Sequence, residues 1–356
     1  MKKLFLSLSL LATMMFFHAC STDVELYADY KDIPIIYGLI DASQDTNFIR
    51  INRAFSGSND HYINAHEVAL IEDSCNYPGK LNAYIVEYKE VYGGNYSPTG
   101  DVLPLDTMTI HDKEPGVFYS PHQKVYFTNG ILDNGQSAFG NNSANAKYKY
   151  KLFVHRGNDT ITAETSLVGG SEFKIITSSL SFAAAPSDNT KKIKFVAADN
   201  AVFYDVKMVF HYQESLNGGP LVDKSVSYSS GPKSVDELGK EDMIYYVSYG
   251  ENVLFNLLQE AIGGDTIIDN NHPNVVRQFD KDHPMEIIVS AGGDELYNYI
   301  QVNTQSGFSQ TVPDYTNVTG GFGVFSSRIN LQRDAGLSSG AKRDLYGKRA
   351  WGFIEH

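Results

Sequence analysis

Cysteine is nearly missing from this chain: Cys20 and Cys75 are the two among 356 residues. A disulfide framework or a thiolate metal site needs more. Tryptophan is rarer still, with Trp351 alone, whereas sugar-stacking surfaces more often use Trp. Positive charge is also short. There are 29 basic against 42 acidic residues, a formal net charge of −13. Such a surface repels phosphate backbones, so nucleic acid is excluded as a partner, and docking on anionic lipid is equally disfavoured. Beyond the N-terminus no segment reaches the ~18 consecutive apolar residues of a membrane span. No repeat at solenoid or propeller spacing is present.

The N-terminus is where the unusual composition lies. Lys2 and Lys3 precede an apolar run from Leu4 to Phe17, broken only by Ser7, Ser9 and Thr13, and Ala19 stands before Cys20. This reads as an export signal over residues 1–19, not a buried helix, because of its charged flank and abrupt polar switch. Apolar residues followed by Ala-Cys resemble a bacterial lipoprotein box, cleaved before the cysteine. Phe17 and His18 depart from the usual aliphatic and small residues, in the manner of looser boxes among the Bacteroidota. Ordinary secretion with cleavage nearby is the alternative. The resemblance implies that Cys20 carries three acyl chains, and at ~0.8 kcal/mol per buried methylene that anchor is permanent. Cys75, in EDSCNYP, is then left as a passive thiol, since no local signature marks it as a nucleophile.

Removing Met1 to Ala19 takes away two lysines and no acid, leaving 27 basic against 42 acidic residues, a balance of −15. Residues 20–29 read as a polar tether. Asp23 and Glu25 in STDVE resemble the surface-export signal of Bacteroidota lipoproteins, which would place the protein on the outer face of the outer membrane. The alternative is a solvated linker that happens to be acidic.

Short apolar runs punctuated by Gly, Asn, Asp and Ser predict a mainly β protein. IPIIYGLI, the turn DASQDT and NFIRINRAF read as a hairpin. In its return strand Phe48, Arg50 and Asn52 alternate with Ile49, Ile51 and Arg53. HEVALIED and KLNAYIVEYKE read as further strands. In KYKYKLFVHRGNDTITAETSLV, lysines alternate with Tyr148, Tyr150 and Leu152, and Ile161, Ala163, Thr165 and Leu167 share one face of the return. SSLSFAAAPSDNT, Ser178 to Thr190, is the expected boundary. Beyond it Val202, Tyr204, Val206, Met208, Phe210 and Tyr212 alternate as one long strand. ENVLFNLLQEAIGG and GDELYNYIQVNTQSG carry helical spacing. The expectation is two consecutive antiparallel β-sandwich-like units, over residues 30–177 and 191–356, the second with one or two short helices.

The chemical motifs are weak. GGFGV lacks the helix that a phosphate-cradling loop opens, so its glycines read as letting a strand bend or pack closely. GLSSG matches a nucleophile elbow at Ser338, but an elbow needs a parallel sheet, and its partners would be Asp344 or Glu355 with His356, crowded at the end. A flexible Ser/Gly loop is the simpler reading. His61, His66 and Glu67 have spacing that suits neither one helix face nor one strand face. Asp269, His272, Asp280, Asp282 and His283 sit in turn-like segments, without the alternating pattern and terminal Glu of a calcium loop. No metal and no cofactor is expected. Asp-Thr-apolar triplets at Thr107, Thr160 and Thr266 resemble the O-glycosylation site of Bacteroidota; Asp-Thr also simply starts turns. The basic stretch RINLQRD…AKRDLYGKR reads as a solvated tail, or more sharply as a docking strip for an acidic partner.

Several segments together resemble an uncharacterised family of Bacteroidota outer-membrane lipoproteins, domain of unknown function 4249. They are IPIIYGLI, FIRINRAF, YKLFVHRGNDTITAETSLV, DELYNYI and the closing TNVTGGFGVFSSR. In the last, Asn317, Gly321, Phe322, Gly323, Val324 and Phe325 fit the family's ending, while Thr319 and Gly320 depart from it. The resemblance implies no catalytic residues. It implies a non-enzymatic surface accessory to a TonB-dependent outer-membrane transporter, binding a ligand or partner. A structural role in envelope assembly, adhesion or gliding and secretion machinery is the second reading, and a surface-polymer hydrolase the third.

Overall fold

The computed structural model describes residues 32–54, 65–130, 132, 147–170, 172–185, 188–262, 275–305, 315–347 and 351–355. Strands make up 53% and helices 15%, so the protein is mainly β, with several antiparallel sheets. It opens with the hairpin β1 (Pro34–Ile40) and β2 (Asn47–Arg53), then two short helices, α1 (Ala65–Ala69) and α2 (Glu72–Cys75). β3 (Asn82–Tyr92), β4 (Asn95–Pro104), β5 (Asp106–Ile110) and β6 (Gln123–Thr128) follow. β7 (Tyr148–Arg156) and β8 (Asp159–Ser166) make the next hairpin. Short strands β9 (Lys174–Ile175) and β10 (Ser179–Leu180) lead into β11 (Thr190–Val196), the long β12 (Phe203–Leu216) and β13 (Val222–Ser229). Then come β14 (Lys233–Ser234), β15 (Gly239–Glu241), β16 (Ile244–Gly250), α3 (Val253–Ile262), β17 (Val275–Gln278) and β18 (Met285–Gly292). α4 (Asp294–Gln305), β19 (Val318–Thr319), β20 (Phe322–Leu337) and α5 (Ser339–Gly347) complete the order.

One large sheet runs β13-β12-β18-β20-β1-β2-β6-β5. A five-stranded sheet, β19-β8-β7-β3-β4, covers one half of it, and a four-stranded sheet, β15-β16-β11-β9, accompanies the other. Two cores result. In the first, Ile36, Ile40, Ile49, Ile51 and Tyr126 of the large sheet meet Ile85, Tyr150, Leu152, Val154 and Ile161 of the five-stranded sheet. In the second, Val206, Met208, Phe210, Ile287 and Val289 meet Ile193, Phe195, Val247 and Tyr249, together with Leu254, Phe255 and Leu258 of α3. The alternating lysine and Tyr/Leu pattern therefore does what period-2 patterning dictates: Tyr148, Tyr150 and Leu152 are buried and the lysines face out.

The two cores share β20. Its first half pairs in parallel with β1, from Ile35↔Phe322 to Ile40↔Ser327. Its second half pairs antiparallel with β18, from Arg328↔Gly292 to Ala335↔Met285. Val318 and Phe325, late in the chain, thus complete the first core. The glycines of GGFGV make this approach feasible: Gly323 has φ +114°, and a Cβ there would collide with the Ile36 carbonyl. Across the ladder, a Cβ on Gly38 would lie 2.9 Å from the Phe325 ring. Asn317 clasps the same strand, donating Nδ2 to the Phe325 carbonyl at 2.7 Å and accepting the Phe325 N–H at 2.9 Å.

Within the expected boundary, Ser178 to Thr190, β10 pairs with β20, and Leu180 and Phe182 are buried in the second core. Two sequence expectations differ from the structure. HEVALIED is helical, in α1 and α2, not a strand. The basic C-terminal stretch is not a solvated tail. It contains the second half of β20 and α5, whose Ala341 and Leu345 are buried, and Trp351 and Phe353 beyond it are buried too.

Candidate ligand-binding face

The outer surface of β1, β2 and β20 carries the candidate site. Alternation in β1 sends Ile36 and Ile40 inward and turns Ile35, Tyr37 and Leu39 outward. Tyr37 stands opposite Arg50 on β2 and Val324 on β20. Tyr37, Phe48 and Phe322 are 40%, 48% and 45% exposed, a high aromatic exposure for one sheet face. α4 lies alongside, and its Tyr299 packs edge-on to Tyr37, with ring centroids 6.0 Å apart.

α4 is held by a polar clasp. The Glu295 carboxylate accepts from the Thr165 hydroxyl at 2.8 Å and from the Ser326 hydroxyl at 3.0 Å. The Leu296 N–H donates to the Ser326 hydroxyl at 3.2 Å. Burial pushes the Glu295 carboxyl above its ordinary range, and the two hydroxyls partly oppose that.

Tyr37 lies in the wall of three cavities. One of about 680 Å³ is lined by Tyr37, Asp41, Asn47, Phe48, Tyr299 and Arg328 among others. A second of about 480 Å³ is lined by Ile35, Tyr37, Arg50, Arg53, Cys75 and Phe118 among others. A third of about 290 Å³ is formed with Tyr299, Tyr315 and Phe322. The first two lie within the size range of small-molecule sites, and the mix of aromatic walls with a few polar groups is what such sites use.

The charges around this face are distinctive. Arg50 Nε donates to Asn52 Oδ1, and an Arg53 terminal nitrogen donates to the Asp73 carbonyl. Arg53 Nε is buried with no hydrogen-bond partner among the described residues. Asn52, buried at the edge of the same cavity, donates to the Cys75 carbonyl and to Asn76 Oδ1, each at 2.8 Å. The Cys75 thiol donates to the Ala69 carbonyl at 3.5 Å. Burial raises its pKa, against the pull of Lys113, Arg50 and Arg53, so it is a protonated, passive thiol.

A separate cleft of about 410 Å³ is lined by His211, Gln213, Asp223, Gln278 and Asp280 among others. Its polar groups serve one another. Gln213 donates to Asp223 and Gln278 donates to Gln213, each at 2.9 Å. Asp280 accepts the Asp282 and His283 backbone N–H groups, both at 2.8 Å. Asp280 thus builds a turn.

Of the residues singled out from sequence, Cys20, Asp23, Glu25, Thr266, His61, Asp269, His272 and His356 lie outside the described residues. Thr107 is on β5, where the Asp106 carboxylate accepts its N–H and pairs with Lys80, each at 2.8 Å. Thr160 is exposed on β8, its hydroxyl 3.0 Å from His155 Nδ1. The two threonines sit on different sheets and form no joint site. His66 and Glu67 lie on α1, and Glu67 is exposed. Ser338 caps α5: its hydroxyl accepts the Ala341 N–H at 3.3 Å. Asp344 accepts the Ala184 N–H at 3.2 Å.

Sequence reading reached Phe48, Arg50 and Asn52 as one strand face, but not Tyr37, Tyr299, Phe322 or Arg328 as their neighbours. Alternation in IPIIYGLI marks Tyr37 as outward; nothing local says that α4 and β20 flank it. Among the described residues no helix is long and apolar enough to cross a membrane, and no group of three His, Cys, Asp or Glu residues is placed to hold a metal ion. A scan against protein-family models matches none, and a search of the curated proteins finds no match.

Proposed function

We propose that this chain is a non-enzymatic lipoprotein of the outer membrane, anchored through Cys20 and facing the cell exterior, that binds a ligand or partner with the face centred on Tyr37. Its partner in the membrane is a TonB-dependent β-barrel transporter. The observation that carries the binding role is the convergence of three cavities on one exposed tyrosine, between a sheet face and a pinned helix. The anchorage rests on the export signal and the Ala19-Cys20 junction, and the outward orientation on Asp23 and Glu25. The hydroxyl and carboxylate of the would-be elbow, Ser338 and Asp344, are engaged with backbone N–H groups, which favours binding over hydrolysis.

Anchorage is tested by Cys20→Ser. The substituted protein is expected in the soluble or inner-membrane fraction, with no acyl chains by mass spectrometry. Unchanged outer-membrane attachment overturns this reading. Gentle detergent extraction of the tagged wild type is expected to copurify a large β-barrel, and a clean monomer counts against the transporter.

A further inference from the structure

We propose that the cavity between Tyr37, Arg50, Arg53 and Phe118 binds a carboxylate carried on a small ring. This deepens the binding role proposed above and rests on it. The chain has an excess of acidic residues, and several of its cations pair with them. Arg156 holds Asp159 at 2.7 Å, Lys192 and Lys194 hold Glu241 at 2.7 Å, and Arg277 holds Glu214 at 2.6 Å. Arg50, Arg53 and Arg328 make no ion pair among the described residues, and all three line cavities that share Tyr37. Arg50 and Arg53, two guanidinium groups without carboxylates at one cavity of an acidic protein, are a site for an anion from outside.

Arg53 makes the case sharper. Its Nε is buried with no hydrogen-bond partner among the described residues, whereas a buried donor is normally satisfied. Its side chain is held in place, with a terminal nitrogen on the Asp73 carbonyl and its guanidinium 6.0 Å from the centre of the Tyr77 ring. Arg50 is held by Asn52. A third cation is close by: Lys113 donates to the Phe118 and Tyr119 carbonyls and reaches the electrostatic environment of Cys75 together with Arg50 and Arg53. Of the acids on α2, Glu72 lies beside the Tyr119 hydroxyl, and Asp73 offers Arg53 its carbonyl.

The remaining walls set the body of the ligand. Ile35, Tyr37, Cys75 and Phe118 are apolar or aromatic, and the volume is about 480 Å³. A carboxylate alone would leave most of that unfilled. A ring packs against Tyr37 and Phe118 while the carboxylate takes the guanidinium fork. A sugar acid and an aromatic acid share this chemistry.

The test is calorimetric titration of the full-length protein in detergent with glucuronate and with benzoate, against methyl glucuronate ester and benzamide as neutral counterparts. At least one acid is expected to bind about 10-fold or more tightly than its neutral counterpart, and which acid wins identifies the ligand class. Arg50→Met, alone and with Arg53→Met, is expected to weaken the acid by about 10- to 100-fold and to leave the neutral compound unchanged. Arg50→Lys, which keeps charge without the fork, is expected to fall between. Thermal unfolding of each variant confirms that it is folded. Equal binding of acid and neutral, abolished by Tyr37→Ala, overturns the carboxylate assignment and keeps the binding face. Acid binding indifferent to Tyr37→Ala and to both arginine substitutions overturns both. No binding by any of the four compounds overturns the carboxylate assignment.

Discussion

Glu295 is the residue whose environment does most to fix the candidate face. It joins Thr165 of the five-stranded sheet to Ser326 of the large one and thereby seats α4 beside Tyr37. Its carboxyl is raised above the ordinary value of 4.5, chiefly by burial. The native state therefore keeps the Glu295 proton to higher pH than the unfolded chain does. Stability from this group is fully present below pH 4.5 and is lost as pH rises through the native value. Glu295→Gln should remove that trend. Urea midpoints for both proteins between about pH 4 and 7 are expected to show wild type losing stability relative to the glutamine variant as pH rises. A wild type that gains on the variant over that range would sink the assignment. None of this was legible in DELYNYIQ, because the hydroxyls that hold Glu295 are 130 and 31 residues away. Local patterns mislead in the same way at Ser338: the GLSSG match is real, but the hydroxyl is spent on a helix cap.

At the scale of elements, periodicity succeeds where a segment is long enough to show its period. β12 is buried at Tyr204, Val206, Met208, Phe210 and Tyr212, as alternation requires, and α3 and α4 fall within the two segments with helical spacing. HEVALIED fails because α1 and α2 are five and four residues long, too short to separate a period of 3.6 from one of 2. The C-terminal stretch fails for a different reason: its order comes from a partner that composition does not reveal. Arg277 is 3% exposed, and it donates to Glu214 at 2.8 Å through Nε and to the Trp351 carbonyl at 2.7 Å. Its backbone also pairs with Gly352 and Ile354. Removing one member of a buried pair leaves the other charge unpaired, so Arg277→Ala should cost about 3–5 kcal/mol. Trp351 is the only tryptophan, so its fluorescence reports this segment alone. The variant is expected to shift that emission to longer wavelength before global unfolding. An unshifted spectrum with a loss under about 1 kcal/mol would show that the pair does not hold the C-terminal segment.

At the scale of the whole molecule, the sequence patterns foretell the fold class but not its connectivity. Parallel and antiparallel strands share the same alternation, so IPIIYGLI gives no sign that its neighbour is the Phe322–Ser327 half of β20. That pairing makes the first core depend on residues near the end of the chain: Phe325 is fully buried there with Ile36, Ile49 and Leu152. It also joins the two cores through one continuous strand, since the next residues of β20 pair with β18. Phe325→Ala should cost about 3–5 kcal/mol by removing a buried ring and leaving a cavity. The more telling readout is where the loss appears. Hydrogen exchange is expected to quicken in β1, β2, β7 and β8, far away in sequence but lining the same core, and to reach β18 more weakly through the shared strand. Leu258→Ala, in α3 of the second core, should give the reverse pattern. If Phe325→Ala instead quickens exchange only between Thr316 and Leu337, β20 is an accessory strand and the first core stands without it. If it does open β1 and β2, the face that carries Tyr37, Phe48 and Arg50 opens with them, and ligand affinity at that face should fall in proportion to the fraction of molecules opened.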